Sequence, residues 1–176
     1  MELGAKAADF GGLKGVDGRT YGLADFAGKD VLVVVFSCNH CPYVQAYEGR
    51  MVDLQARYGG RGVQLVAINS NEDVGHPEDS FEEMVKRAKA EGFNFPYLRD
   101  ASQAVARAYG ATHTPHLFVF GKDRTLAYTG KIDDDWQDPK AVKERFLERA
   151  LEELLAGKPV STPKTHAVGC TIKWAR

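Results

Sequence analysis

Cys38-Asn39-His40-Cys41 is the segment of this chain with the clearest capacity for chemistry. Two cysteines separated by two residues can bring their sulfurs within bonding distance across one turn of backbone. Such a pair exchanges disulfides: one thiolate attacks a foreign S–S bond, and the second thiol resolves the mixed disulfide. The segment follows an apolar run and opens a helical pattern, so the sulfurs fall at a helix entrance. Unpaired N–H groups and the positive end of the helix dipole there favour thiolate over thiol. Cysteines so placed ionise at about pH 3.5–7.5. Cys38 is expected to be the more exposed sulfur and is assigned as nucleophile; Cys41 is the resolving thiol. The reaction needs no cofactor.

His40 has two readings. As a cation it stabilises thiolate and makes the disulfide a stronger oxidant; otherwise it is an uncoupled surface histidine. Pro42 also has two placements. As the first helical residue it leaves Cys41 just outside the helix; later in the first turn it removes an early hydrogen bond. The competing chemistry is half a zinc site. Zinc takes four ligands, and beyond this pair the chain has only Cys170 and five histidines, with no second Cys-x-x-Cys. The strand-then-helix setting favours redox chemistry.

The flanking elements follow from periodicity. Val31 to Phe36 is β-branched and apolar throughout, which predicts a central strand buried on both faces. Val44, Tyr47, Met51, Leu54 and Tyr58 recur at helical spacing up to Gly59-Gly60. Val63 to Ile68 predicts a second central strand. Ser80-Phe81-Glu82-Glu83 has the capping-box form and opens a helix that Gly92 stops. Asp17-Gly18 marks an early hairpin. A short strand at Tyr97-Leu98, a helix over 102–109, a strand pair over 116–120 and 125–128, and a last helix from Val142 to Leu154 complete the chain. Residues 158–176 are read as a tail packed on one domain spanning 1–176. This alternation predicts an α/β fold with a central mixed sheet and helices on both faces.

Composition narrows the partners. Lys+Arg number 23 and Asp+Glu 24, a balance that gives no case for nucleic acid or an anionic membrane surface. No apolar run approaches the length needed to cross a bilayer. The first residues lack the pattern of a secretory signal, which predicts a cytoplasmic location. Three cysteines in such a compartment are redox-active or metal-binding more often than structural.

The strand ending at Phe36, the Cys38–Cys41 pair, and Thr114-Pro115 before a Phe-rich strand together resemble the thioredoxin-like superfamily. The closer resemblance is to its alkyl hydroperoxide reductase/thiol-specific antioxidant (redoxin) branch. Asp17-Gly18, Gly28-Lys29-Asp30 and Ala67-Ile68-Asn69 fit that branch. Cys38 to Tyr43, Thr114-Pro115-His116 and Gly169 to Trp174 resemble a group of bacterial thioredoxin-family proteins. The resemblance implies a cis Pro115 against the active-site sulfurs, with Thr114 offering backbone groups to an extended substrate chain. Three positions depart from the pattern. Ser37 stands where thioredoxins carry an aromatic residue. Leu32 replaces their buried aspartate, which leaves the proton acceptor open between water, His40 and His113. Val35 stands where peroxiredoxins carry a Thr or Ser, which argues against peroxidase activity.

Further candidates surround this centre. Asn39, Pro42, His113 and His116 are expected to line the substrate groove with Thr114. Cys170 is either an inert cysteine or a third thiol that reaches the pair. Asp133 to Trp136 read as a solvated acidic loop. The function expected is thiol–disulfide exchange with a protein or small-molecule disulfide, from an unspecified electron donor. The alternatives are a redoxin-type peroxidase and a zinc- or copper-binding module on the same cysteines.

Overall fold

A computed structural model describes residues 1–176. The strands are β1 (Leu13–Gly15), β2 (Thr20–Tyr21), β3 (Val31–Ser37), β4 (Val63–Asn69), β5 (Tyr97–Arg99), β6 (His113–Thr114), β7 (His116–Phe120), β8 (Leu126–Gly130) and β9 (Cys170–Thr171). The helices are α1 (Pro42–Tyr58), α2 (Phe81–Ala90), α3 (Ala104–Tyr109) and α4 (Phe146–Leu155). Seven strands form one sheet in the order β2-β1-β5-β4-β3-β7-β8, and β6 pairs with β9 alone. β3 runs parallel to β4 and antiparallel to β7, so the sheet is mixed.

The period-2 geometry of a strand sends successive side chains to opposite faces. Val31, Val33 and Val35 therefore join one core with Tyr47, Met51 and Leu54 of α1, Met84 of α2 and Leu147 and Leu151 of α4. Leu32, Val34 and Phe36 join the other, against Val105, Ala106 and Tyr109 of α3. Leu32 is thus committed to apolar packing on the face opposite α1. No helix is long and apolar enough to cross a membrane.

Two helix boundaries carry information. α1 ends at Tyr58 as its pattern predicts, but the chain reverses direction only at Gly62, whose φ of 88° suits glycine. α4 begins at Phe146, four residues later than the apolar spacing from Val142 predicts. Residues 143–144 are held instead by the acidic loop: Lys143 N–H donates to Asp134 Oδ1, and Asp134 N–H donates to the Glu144 carbonyl.

One buried charge ties α1 to α2. Glu48 is 2% exposed and pairs with Arg87 through both carboxylate oxygens. Burial pushes the Glu48 carboxyl up, and the Arg87 guanidinium opposes that shift. Removing one partner of such a pair strands the other charge, at about 3–5 kcal/mol. Arg87→Ala is expected to lose about 3 kcal/mol in urea unfolding; a loss below about 1 kcal/mol, the scale of a surface pair, would contradict this account.

Candidate active site

The register Phe36↔His116 places Thr114 and Pro115 level with the residues that leave β3. The Thr114–Pro115 bond is cis, as the resemblance implies. Thr114 Oγ1 lies 3.4 Å from Cys38 Sγ, and the Thr114 carbonyl oxygen lies 3.4 Å from Cys41 Sγ. The sulfurs therefore sit at the carboxyl ends of the central strands, where open α/β sheets form their crevices.

Pro42 is the first residue of α1 and Cys41 is its N-cap, with extended φ and ψ of −70° and 124°. This settles the two placements of Pro42. Both sulfurs are buried, Cys38 at 1% and Cys41 at 0% exposure, so neither is open to solvent as the expectation for Cys38 required. The helix terminus acts on Cys41. Its neighbourhood, the Cys38 thiol first and then Cys170 and the N–H of Val44, outweighs burial and brings its pKa down to about 4. Cys38 is pushed up by sharing its proton with Cys41, by burial and by the nearby Asp79 charge. The two thiols are thus shifted in opposite directions, Cys41 down and Cys38 up.

A carboxylate missed in the sequence stands behind Cys38. Asp79 is 0% exposed. Its Oδ1 accepts Asn39 N–H at 2.7 Å and the Asn69 amide at 3.2 Å. Its Oδ2 accepts the Asn71 amide at 3.0 Å and lies 2.6 Å from His40 Nδ1. Ligand-type atoms of Cys38, His40 and Asp79 all lie within 4.8 Å of one another. His40 is therefore coupled to the site and is not an independent surface group. Its other neighbour is the His76 ring, stacked at 6.0 Å. Asp79 lies in a Pro-Glu-Asp turn before α2, where an acid reads as a helix-start residue; only the polar cluster at the end of β4 hinted that a buried partner was needed.

Several expected groove residues have other duties. Asn39 is buried and its side chain is spent internally, accepting from Tyr97 Oη and donating to the Glu78 carbonyl. The β6 edge is also occupied: Thr114 pairs with Cys170, and His113 with Thr171. His116 is a structural group. Its Nδ1 accepts Thr112 N–H at 3.2 Å, and its Nε2 lies 3.3 Å from Thr129 Oγ1, whose proton goes to the Leu117 carbonyl. That pattern requires a neutral ring with its proton on Nε2. Pro42 is exposed beside the pair. The acidic loop is not solvated throughout: Asp133 is buried, paired with Arg50 at 2.7 Å and Tyr47 Oη at 2.8 Å. Trp136 of this loop packs against Tyr43 with the rings tilted and their centroids 4.2 Å apart.

The Redoxin family model matches residues 2–145. The chain belongs to the redoxin family. This redoxin is 30% identical over 138 residues to the thiol-disulfide oxidoreductase ResA of Halalkalibacterium halodurans, covering 77% of the chain and 70% of the relative. A crystal structure of a hypothetical protein from Sinorhizobium meliloti 1021 is 40% identical with a TM-score of 0.93, covering 99% of this chain and 96% of that one. A thioredoxin-family thiol:disulfide interchange protein from Chlorobium tepidum shares the fold, at 20% identity and a TM-score of 0.68 over 88% of this chain and 99% of its own. The mixed sheet and helices of this redoxin are thus a thioredoxin-like fold. Residues beyond 145, including the tail and Cys170, lie outside the family match.

The neutral His116 has a pH signature. Burial first, then the His113 and N-terminal charges, lower its pKa to about 4. An unfolded chain binds that proton at about 6.5. Between these values the unfolded state holds more protons, so the stability this group contributes is complete above about pH 6.5 and is lost as pH falls toward 4. NMR of the His116 ring is expected to show no titration from pH 8 to 5; a midpoint near 6.5 would overturn the buried neutral assignment.

Proposed function

We propose that this redoxin is a thiol–disulfide oxidoreductase whose redox pair is Cys38 and Cys41. The observation that carries the reading is the Cys41 sulfur at the α1 N-cap, packed with Cys38 beside cis Pro115. The roles read from the sequence exchange. Cys41 holds the thiolate and attacks; Cys38, the protonated partner, closes the disulfide.

The electron balance is simple. The Cys41 thiolate attacks one sulfur of a substrate disulfide, and the substrate S–S bond breaks as its second sulfur leaves. Cys38 then attacks Cys41, the intramolecular S–S bond forms and the first substrate sulfur leaves. The protein loses two electrons and the substrate gains them. The Cys38 proton passes toward His40, whose ring Asp79 holds in place. That pair supplies the acceptor that Leu32 cannot.

A second reading rests on the same cluster. A thiol, an imidazole and a carboxylate within 4.8 Å form a partial metal set. Against it, Asp79 already has both oxygens occupied by hydrogen-bond donors. Val35 has no hydroxyl to orient a peroxide, which weighs against the peroxidase alternative.

Cys41→Ser is expected to abolish turnover of a small disulfide, and Cys38→Ser to lose the Cys38–Cys41 disulfide. The thiolate absorbance near 240 nm in the reduced protein is expected to persist at pH 6 in Cys38→Ser and vanish in Cys41→Ser. The opposite pattern would return the charge to Cys38. Stoichiometric zinc or copper that blocks alkylation in the purified protein would favour the metal reading. His40→Ala is expected to slow closure of the Cys38–Cys41 bond by about 100-fold with the Cys41 absorbance intact; an unchanged closure rate would remove His40 from the proton path.

A further inference from the structure

The two sulfurs of the pair have almost no exposed surface, whereas Cys170 is partly exposed and packs on the cluster of Cys38, Cys41 and Val44. Cys170 reaches them because β9 adds to the edge of β6, with Cys170 directly opposite Thr114. This is the edge expected to receive an extended substrate chain, and the tail fills it. The approach is close enough to require glycine: a Cβ at Gly169 would fall 2.0 Å from the Thr114 carbonyl oxygen. The strand is also pinned on its far side. Ile172 is buried in the core on the α3 face and its N–H donates to the Thr112 carbonyl. Lys173 N–H donates to Asn71 Oδ1 at 2.9 Å, and the Gln103 amide donates to the Lys173 carbonyl at 2.8 Å. Cys170 is close enough to act on the Cys41 sulfur and helps to lower its pKa.

From this placement we propose that Cys170 is a relay thiol: it takes the disulfide from Cys38–Cys41 as a Cys41–Cys170 bond and presents it to an external dithiol at the surface. The proposal rests on the reading of Cys38 and Cys41 as a redox pair and extends it to the route by which electrons reach that pair.

The relay balances without an added oxidant. The Cys170 thiolate attacks Cys41 Sγ, the Cys38–Cys41 bond breaks and the Cys41–Cys170 bond forms. Cys38 leaves and takes the proton that Cys170 gave up. No electrons are gained or lost in this isomerisation. A thiolate of the external dithiol then attacks the partly exposed Cys170 sulfur and expels Cys41. Its second thiol closes on the first, releasing Cys170. The dithiol is oxidised by two electrons and the protein regains its reduced cysteines. The order of leaving is favourable, because the sulfur expelled from Cys170 is the one at the helix terminus, and a more acidic thiol leaves faster. In the reduced protein, burial, the hydrogen bond with Cys41 and its charge push the Cys170 thiol up to about 11. Oxidation of the pair removes the Cys41 hydrogen bond and charge and leaves burial as the remaining cause, so the Cys170 thiol ionises more readily when there is a disulfide to attack.

Two measurements test the relay on the full chain. Cys38→Ser oxidised with one equivalent of diamide is expected to yield a Cys41–Cys170 disulfide by peptide mapping. Oxidised wild type and Cys170→Ser are then reduced with dithiothreitol; the variant is expected to be slower by at least about tenfold. Cys170→Ala repeats the comparison should serine disturb the fold. Absence of the Cys41–Cys170 bond, or equal reduction rates, overturns the relay while a Cys38–Cys41 disulfide that still forms leaves the redox pair standing. Failure of that disulfide to form in both wild type and Cys170→Ser would instead remove the redox pair itself.

Discussion

The site depends on one buried carboxylate. Asp79 has no contact with water, and a buried charge costs several kcal/mol unless hydrogen bonds replace its hydration. Its neighbours come from separate parts of the chain: Asn39 from the cysteine loop, His40 from the same loop, Asn69 from the end of β4, and Asn71 from the connection that follows. Satisfying the carboxylate therefore fixes the loop between the two cysteines against the sheet. It also explains why Asn39 turns inward. With its N–H on Asp79 and its side chain on Tyr97 and Glu78, the first dipeptide position is structural, and the second, His40, is the one left to handle protons.

The distribution of charge between the sulfurs follows from the same construction. Asp79 lies on the Cys38 side and opposes a second anion there. The helix terminus lies on the Cys41 side and welcomes one. Two neighbouring sulfurs in a common protein interior are thus made unequal by backbone N–H groups on one flank and a carboxylate on the other. In thioredoxins the resemblance places the buried acid on the strand, at the position of Leu32. Here that position is filled by hydrocarbon, and the acid arrives from the turn before α2.

Much of this was legible from the chain alone. The unbroken run from Val31 to Phe36 could only be a strand covered on both faces, and its alternate residues divide between the two cores. The spacing of Val44 to Tyr58 gave α1, and with it the position of the cysteines at a helix entrance. The proline before β7 was recognisable through resemblance. What was hidden shares one property: it depends on partners remote in sequence. Asp79 looks like an ordinary helix-start acid until Asn69 and Asn71 are brought beside it. His116 looks like a groove histidine until Thr112 and Thr129 occupy both ring nitrogens. The burial of Cys38 depends on a tail over 130 residues away in the sequence, and the pairing of two residues with a two-residue edge leaves no periodic mark.

That tail pairing separates two kinds of stability in one molecule. The sheet is held by long ladders and two apolar cores, whereas β9 contributes a ladder of two residues, Ile172 and a few single hydrogen bonds whose partners are as far as 102 residues away. Segments so lightly held open locally at a smaller free-energy cost than global unfolding requires. Warming therefore uncovers the thiols while the sheet remains intact, and the temperature at which the protein becomes chemically vulnerable lies below the temperature at which it melts.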